Sequence, residues 1–359
     1  MAEITASMVK ELRELTGAGM MDCKKALAET NGNMEEAVDF LKKSGAAKME
    51  KKASRIAAEG IARVAVKDNE AVVAEVNSET DFVAKNEVFQ EFVQLIADNA
   101  LTSGLNGGKN GEDVEALLEM NGLKEELVQK TATIGEKLSV RRFEKVSGEC
   151  VASYLHAGGK IGVIVAADGA ADVKEALTNV AMQIAAMNPQ YISRDDISQE
   201  EISKMREITV DSSLNDPASL PKPILNALIE KALADKVWSD EDIAIYEEKK
   251  SNMNFLFNFL SDAAKTALAG LAMADKENIV STKIFDGMIE GRVSKQLKDI
   301  CLLDQTYVKA EDGKQTVAAY LKSVNGAIVI KKVVRFEVGE GMEKKNENFA
   351  DEVAAQLGK

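Results

Sequence analysis

One pattern of elements occurs twice in this 359-residue chain: two short β-strands joined by a turn, then an amphipathic helix. In the first copy, strands are predicted over residues 60–66 and 71–77 and a helix from about Asn86. In the second copy, a hairpin over 149–156 and 161–166 precedes the helix. The apolar positions of both helices recur at helical spacing: Phe89, Phe92, Val93, Ile96 and Ala97, then Val173, Ala176, Leu177, Val180, Ala181 and Ile184. The repeat indicates an internal duplication into two small α+β subdomains.

Helical sequence surrounds this duplicated core. Ile4, Met8, Leu12 and Leu15 recur at helical spacing, and Asn33 with Glu36 forms a capping box, so three short helices are predicted at the start of the chain. The length favours two to three domains. We predict a three-helix module with a linker helix over 1–54, an N-terminal core subdomain over 55–146, a C-terminal core subdomain over 147–191 and 311–338, a helical insertion over 192–310, and a C-terminal helical module over 339–359.

Finer predictions follow from the same patterns. The linker helix is expected at 48–58, and one helix at 114–131 connects the two copies. An apolar strand at 327–338 is expected to complete the second sheet. Phe349, Val353 and Leu357 predict an amphipathic helix near the end of the chain.

Composition excludes most enzyme classes. The formal net charge of −14 argues against a nucleic-acid partner. There is one histidine, His156, and no nucleophile elbow, complete phosphate loop, dinucleotide fingerprint or metal-ligand spacing is present. We therefore expect no enzyme activity, cofactor or bound metal. Three widely spaced cysteines, with no signal peptide and no apolar membrane segment in the sequence, predict a cytoplasmic protein.

The two copies differ where strand joins helix, and this difference identifies a candidate site. The second copy has a turn of small residues and one aspartate at 166–171, whereas the first has Thr80, Asp81, Phe82 and Val83. Phe82 could pack back against its own helix near Phe89 as a hydrophobic staple. Alternatively, Phe82 could protrude beside Asp81 as a binding hot spot. The spacing leaves both alternatives open.

Two further segments carry candidate contact residues. Met20 and Met21 are adjacent, so they cannot both face one core, and one is expected to be an exposed contact unless both pack loosely. His156 and Ala157 lie at a hairpin end beside two glycines, where a histidine either forms a contact or has no role.

These residues lie in segments that resemble the bacterial elongation factor Ts family. The similarity is carried by TGAGMMDCKKAL at 16–27, TDFV at 80–83, HAGGKIGV at 156–163 and RFEVGEG at 335–341. It covers 1 to about 210 and about 280 to 359. The order and spacing of the four segments match the family pattern.

The resemblance implies a guanine-nucleotide exchange factor of protein biosynthesis, which binds elongation factor Tu with GDP and promotes release of GDP and Mg²⁺. It implies that Thr80–Val83 disturb the Mg²⁺ site of the partner, with Asp81 and Phe82 as the wedge. Further contacts to the partner are implied for Arg13, Met20, Met21, Lys24, Ile134, His156 and Ala157. The N-terminal module would then be ubiquitin-associated-domain-like (UBA-like).

Two points stay open in the sequence. Between Met205 and about Lys283 the chain is longer than is usual in the family, where relatives carry a coiled-coil hairpin. This helical, coiled-coil-like insertion could be a solvated lobe with a minor core or could form a homodimer. The alternative function is a non-catalytic helical adaptor, which would have no use for an asymmetric Asp81–Phe82 loop.

Overall fold

The computed structural model describes residues 4–343, apart from the side chain of Asn254, and divides into two compact units. The first unit extends to Asn188 and resumes at Tyr307, and the second is Pro189–Thr306. Taken together, the helices and the two small antiparallel sheets of the described residues confirm the predicted α+β class. The predicted C-terminal helix, with Phe349, Val353 and Leu357, lies outside the described residues.

Three helices form a bundle at the start of the chain: α1 (Ala6–Thr16), α2 (Met20–Glu29) and α3 (Met34–Lys52). Gly17 ends α1 because its backbone adopts the left-handed conformation, with φ +64°, which costs glycine least. The Asn33 side chain caps α3 by accepting a hydrogen bond from the amide of Glu36. Small and branched side chains make the bundle core: Leu12, Cys23, Ala26, Leu27 and Ala37.

The first sheet contains three antiparallel strands in the order β1 (Glu59–Lys67), β2 (Glu70–Ser78) and β3 (Ser139–Ser147). Asp68, with φ +51°, makes the tight turn between β1 and β2. The sequence did not predict β3. The pairing register shifts between Glu75 and Val76, so buried residues on β3 do not alternate regularly.

Four helices follow β2: α4 (Asp81–Ala84), α5 (Glu87–Thr102), α6 (Val114–Leu118) and α7 (Leu123–Ile134). The apolar face predicted for α5 is buried against β1 and β2. The single helix predicted at 114–131 is wrong. Asn121 and Gly122 both have positive φ, which breaks the chain into α6 and α7.

The predicted linker helix at 48–58 is also wrong, because α3 continues unbroken to Lys52 and then ends. Gly45 lies inside α3, where a Cβ atom would come within 3.2 Å of the Val128 side chain on α7. The glycine therefore marks a close helix–helix approach rather than the end of a helix.

The second sheet contains β4 (Cys150–His156), β5 (Ile161–Asp168) and β6 (Val329–Glu337), again antiparallel and in that order. Helix α8 (Lys174–Met187) packs on β4 and β5. The two sheets contact each other through a shared apolar cluster that includes Val73, Ile164 and Phe336. A Cβ atom at Gly162 would lie 2.8 Å from Val73, so this glycine permits the close approach of the sheets.

The second unit is a bundle of short helices rather than a coiled-coil hairpin: α9 (Gln199–Leu214), α10 (Lys222–Ala234), α11 (Asp240–Lys249), α12 (Met253–Leu256), α13 (Asp262–Ala274), α14 (Lys276–Val280) and α15 (Lys283–Ile300). Pro217 and Pro221 separate α9 from α10, and Ser239 and Ser261 cap new helices, so two long helices cannot form. Its core is extensive rather than minor: Leu214, Leu225, Leu228, Ile229, Trp238, Leu256, Leu268, Phe285 and Ile289. In the first unit, α16 (Val317–Val324) precedes β6.

Candidate partner-binding site

Phe82 lies on α4, a single helical turn between β2 and α5. The residue is 79% exposed, whereas Val83 and Ala84 on the same turn are buried in the core. The alternative in which Phe82 packs back against α5 is therefore wrong. Asn86 rather than Thr80 caps α5. Phe82 therefore belongs to the separate turn before α5, and its ring lies in solvent.

Charged groups flank the exposed ring. The Lys85 ammonium donates to the Asp81 carboxylate at 2.7 Å and lies 5.8 Å from the centroid of the Phe82 ring. The hydrogen bond from Lys85 is the main cause that lowers the pKa of the Asp81 carboxyl below its ordinary value. The surface of α4 thus presents an apolar ring beside an ion pair.

The N-terminal end of α4 is held by a carboxylate from another part of the chain. Glu136 accepts hydrogen bonds from the Thr80 amide at 2.9 Å and from the Thr80 hydroxyl at 2.7 Å. The neighbouring Glu79 carboxylate in turn accepts from the Lys137 amide at 2.6 Å and from Arg55 at 3.1 Å. The two segments therefore hold each other reciprocally.

The C-terminal end of α4 is held from α5 and β1. The Gln90 side chain donates to the Ala84 carbonyl at 3.1 Å and accepts from the Arg63 guanidinium at 2.9 Å. Arg63 also lies 3.5 Å from the Gly158 carbonyl, in the loop that follows His156. Burial lowers the pKa of Arg63 from its ordinary value.

Met20 and Met21 begin α2, and both are exposed, at 59% and 75%. The alternative in which both pack loosely in the bundle is wrong, because Cys23, Ala26 and Leu27 supply the buried face of α2 instead. Arg13 and Lys24 are exposed as well. The turn before α2 is fixed to α7, since the Gln129 side chain donates to the Thr16 carbonyl.

The remaining candidates fall into two groups. His156 and Ala157 are exposed at the end of the second sheet's hairpin, where Ala157 has φ +48° and Nδ1 of His156 lies 3.2 Å from the Tyr154 hydroxyl. Ile134, by contrast, is half-buried and packs against the core of the first sheet. Only part of its side chain is available to a partner.

Sequence reasoning missed three residues that position α4: Arg63, Gln90 and Glu136. Glu136 is separated from Thr80 by 56 positions, and no local pattern connects them. Within residues 4–343, no group of three or more histidine, cysteine or acidic side chains could hold a metal ion. In the same range, no helix is long and apolar enough to cross a membrane.

The sequence profile of the family described as Elongation factor TS matches residues 79–340, which include α4, strand β3 of the first sheet, the whole second sheet and the helical second unit. The chain belongs to the elongation factor Ts family. It is also 43% identical to Elongation factor Ts of Clostridioides difficile (strain 630), over 371 aligned positions that cover 99% of this chain and 100% of the relative. The expected function is thereby confirmed: the protein is a nucleotide exchange factor for elongation factor Tu in translation elongation. The adaptor alternative is not favoured.

Proposed function

We propose that the protein releases GDP by inserting the side chains of Asp81 and Phe82 into the nucleotide-binding domain of elongation factor Tu, where they displace Mg²⁺. The observation that carries this proposal is the exposed Phe82 ring on a turn whose two ends are hydrogen-bonded to the fold. An exposed aromatic side chain on a rigid support is typical of a binding hot spot. The protein makes and breaks no covalent bond in this mechanism.

The energetics follow from linkage between two binding equilibria. A factor that binds nucleotide-free elongation factor Tu more tightly than the GDP-bound form must, by reciprocity, weaken the binding of GDP. We assign this difference to the wedge formed by Asp81 and Phe82, which is proposed to enter the Mg²⁺ region of the partner. Contacts elsewhere hold the partner in both states.

Release of a fluorescent GDP analogue from elongation factor Tu, followed by stopped flow, tests the proposal. We expect a saturating concentration of the protein to accelerate release by about 100-fold, toward the upper end of typical coupling free energies. Excess Mg²⁺ is expected to reduce the acceleration, since it opposes displacement of the ion. An unchanged release rate at saturation would contradict the proposed function.

We assign the holding contacts to Arg13, Met20, Met21 and Lys24 on one side and to His156 with Ala157 on another, with a smaller contribution from the half-buried Ile134. Exposed methionines are adaptable and suit a contact that must persist through a change in the partner. The three-helix bundle that carries Met20 is proposed to be UBA-like. The protein is proposed to act in the cytoplasm, without direct contact to nucleic acid. A homodimer through the helical unit stays a prediction.

Replacing Met20 and Met21 together with alanine tests the methionine contact. We expect affinity for nucleotide-free elongation factor Tu to fall by roughly tenfold, because truncating well-packed interface side chains typically costs more than 1 kcal/mol. Binding is measured by isothermal titration calorimetry. Met187→Ala is the matched control, since Met187 is 49% exposed and lies on α8, outside the assigned contacts. Equal affinities for the double variant and this control would refute the assignment.

A further inference from the structure

Helix α4 has four residues and cannot hold its own orientation. Forming the first turn of a helix is unfavourable, so a single turn in water is mostly unfolded unless neighbouring groups fix it. Only Val83 and Ala84 anchor α4 to the apolar core. The direction of the Phe82 ring therefore depends on the polar contacts at the two ends of the turn.

Glu136 supplies the contacts at the first end. Its carboxylate accepts from both the amide and the hydroxyl of Thr80, which leaves the Thr80 hydroxyl oxygen to cap the Val83 amide. Glu136 follows Gly135, whose left-handed backbone at φ +87° ends α7. Charge-assisted bonds to a carboxylate are among the stronger hydrogen bonds in proteins. The support is thus strong and rigidly placed.

Gln90 supplies the contact at the second end. Its side chain is hydrogen-bonded to both the Ala84 carbonyl and the Arg63 guanidinium. Arg63 in turn packs against the loop that follows His156, where a Cβ atom at Gly159 would come within 2.8 Å of the guanidinium. The two loops proposed to contact elongation factor Tu are therefore connected through two side chains. The second copy of the duplicated unit has no helical turn before α8 and no side-chain cap on it.

We propose that Glu136 and Gln90 are positioning residues for nucleotide exchange, which act by holding the Phe82 turn in the orientation that the partner requires. This inference rests on the proposed role of Phe82. Without Glu136, the turn samples other orientations and must be ordered again in each encounter, which reduces the preorganisation of the wedge. The contacts that hold the partner through Met20, Met21 and His156 are unaffected.

The test compares Glu136→Gln with Glu126→Gln in the stopped-flow assay of GDP release. Glutamine preserves the shape of Glu136 but loses the charge and one acceptor, so we expect the saturating release rate to fall by about fivefold to tenfold. The concentration of exchange factor that gives half the maximal rate is expected to stay within about twofold, because it reports the holding contacts. Glu126 lies on α7, pairs with Lys130 and does not contact Thr80, so its variant is expected to behave as wild type.

A double-variant cycle with Phe82→Ala separates positioning from a general structural effect. If Glu136 acts through Phe82, adding Glu136→Gln to Phe82→Ala causes no further loss of rate. A full additional fivefold loss, or an unchanged rate in the single variant, overturns the inference. If Phe82→Ala itself leaves the rate unchanged, the proposed function of Phe82 has failed instead. Should Glu136→Gln not fold by circular dichroism, Gln90→Met tests the other end of the turn, with the same expected loss of saturating rate and the same cycle with Phe82→Ala. Because Gln90 also accepts a hydrogen bond from Arg63 beside the loop that follows His156, the half-maximal concentration is not used for this variant.

Discussion

Phe82→Ala is expected to lower the saturating rate of GDP release by about 30-fold or more, which corresponds to loss of a hot spot worth at least about 2 kcal/mol. Phe82 is 79% exposed, so removal of its ring creates no cavity and the variant is expected to fold with unchanged stability. The affinity for GDP-bound elongation factor Tu is expected to fall by a smaller factor than the rate of GDP release. This expectation follows because the methionine and histidine contacts proposed above are retained in the variant.

Stopped-flow release of a fluorescent GDP analogue measures this effect over a range of exchange-factor concentrations. Phe259→Ala is a matched control, because Phe259 is also an exposed phenylalanine (53%) and lies in the separate helical unit. We expect that control to retain the wild-type rate. Equal acceleration by wild type and Phe82→Ala would leave the exchange function standing and would remove Phe82 from it.

The duplicated pattern identified the α4 segment, but spacing alone could not predict the exposure of Phe82. A staple and a protruding side chain have the same separation from the next helix, and the difference depends on which residue caps α5. In the structure the Asn86 side chain caps α5, and the Thr80 hydroxyl donates a hydrogen bond to the Glu136 carboxylate. The second of these contacts is long-range, so local sequence rules could not include it.

Backbone features explain the other differences from prediction. The α+β class and the apolar faces of α5 and α8 follow from periodicity, because these faces are buried against sheets. Asn121 and Gly122, both with positive φ, divide the segment predicted as one helix, and the buried positions of α6 and α7 do not share one helical face. Strand β3 escaped prediction because its pairing shifts at Glu75, where a charged residue is buried inside the sheet. Burial of such a group depends on partners that are distant in sequence.

Glu75→Ala is expected to destabilise the first unit by about 3–5 kcal/mol, because it leaves a buried positive charge without its main partner. Glu75 is fully buried and accepts hydrogen bonds from Nε of Arg142 at 2.5 Å, Nη1 of Arg141 at 2.9 Å and the Gly339 amide at 2.9 Å. Arg142 is itself almost completely buried and lies 4.2 Å from the centroid of the Phe336 ring. The cluster joins the first sheet to the end of β6 in the second.

Thermal unfolding followed by circular dichroism checks this prediction, with an expected fall in the melting temperature of roughly 10 °C. Glu70→Ala is the control on the same strand: Glu70 is half-exposed, and its ion pair with Lys145 spans 3.8 Å, so a loss of less than about 1 kcal/mol is expected. If both variants lost the same small amount of stability, the Glu75 cluster would not hold the two sheets together.

Because Phe82 follows the first sheet and His156 ends a strand of the second, weakening this cluster should also loosen the spacing between the two proposed contacts. Glu75→Ala is therefore expected to reduce exchange at temperatures below its own melting transition, whereas Glu70→Ala is not.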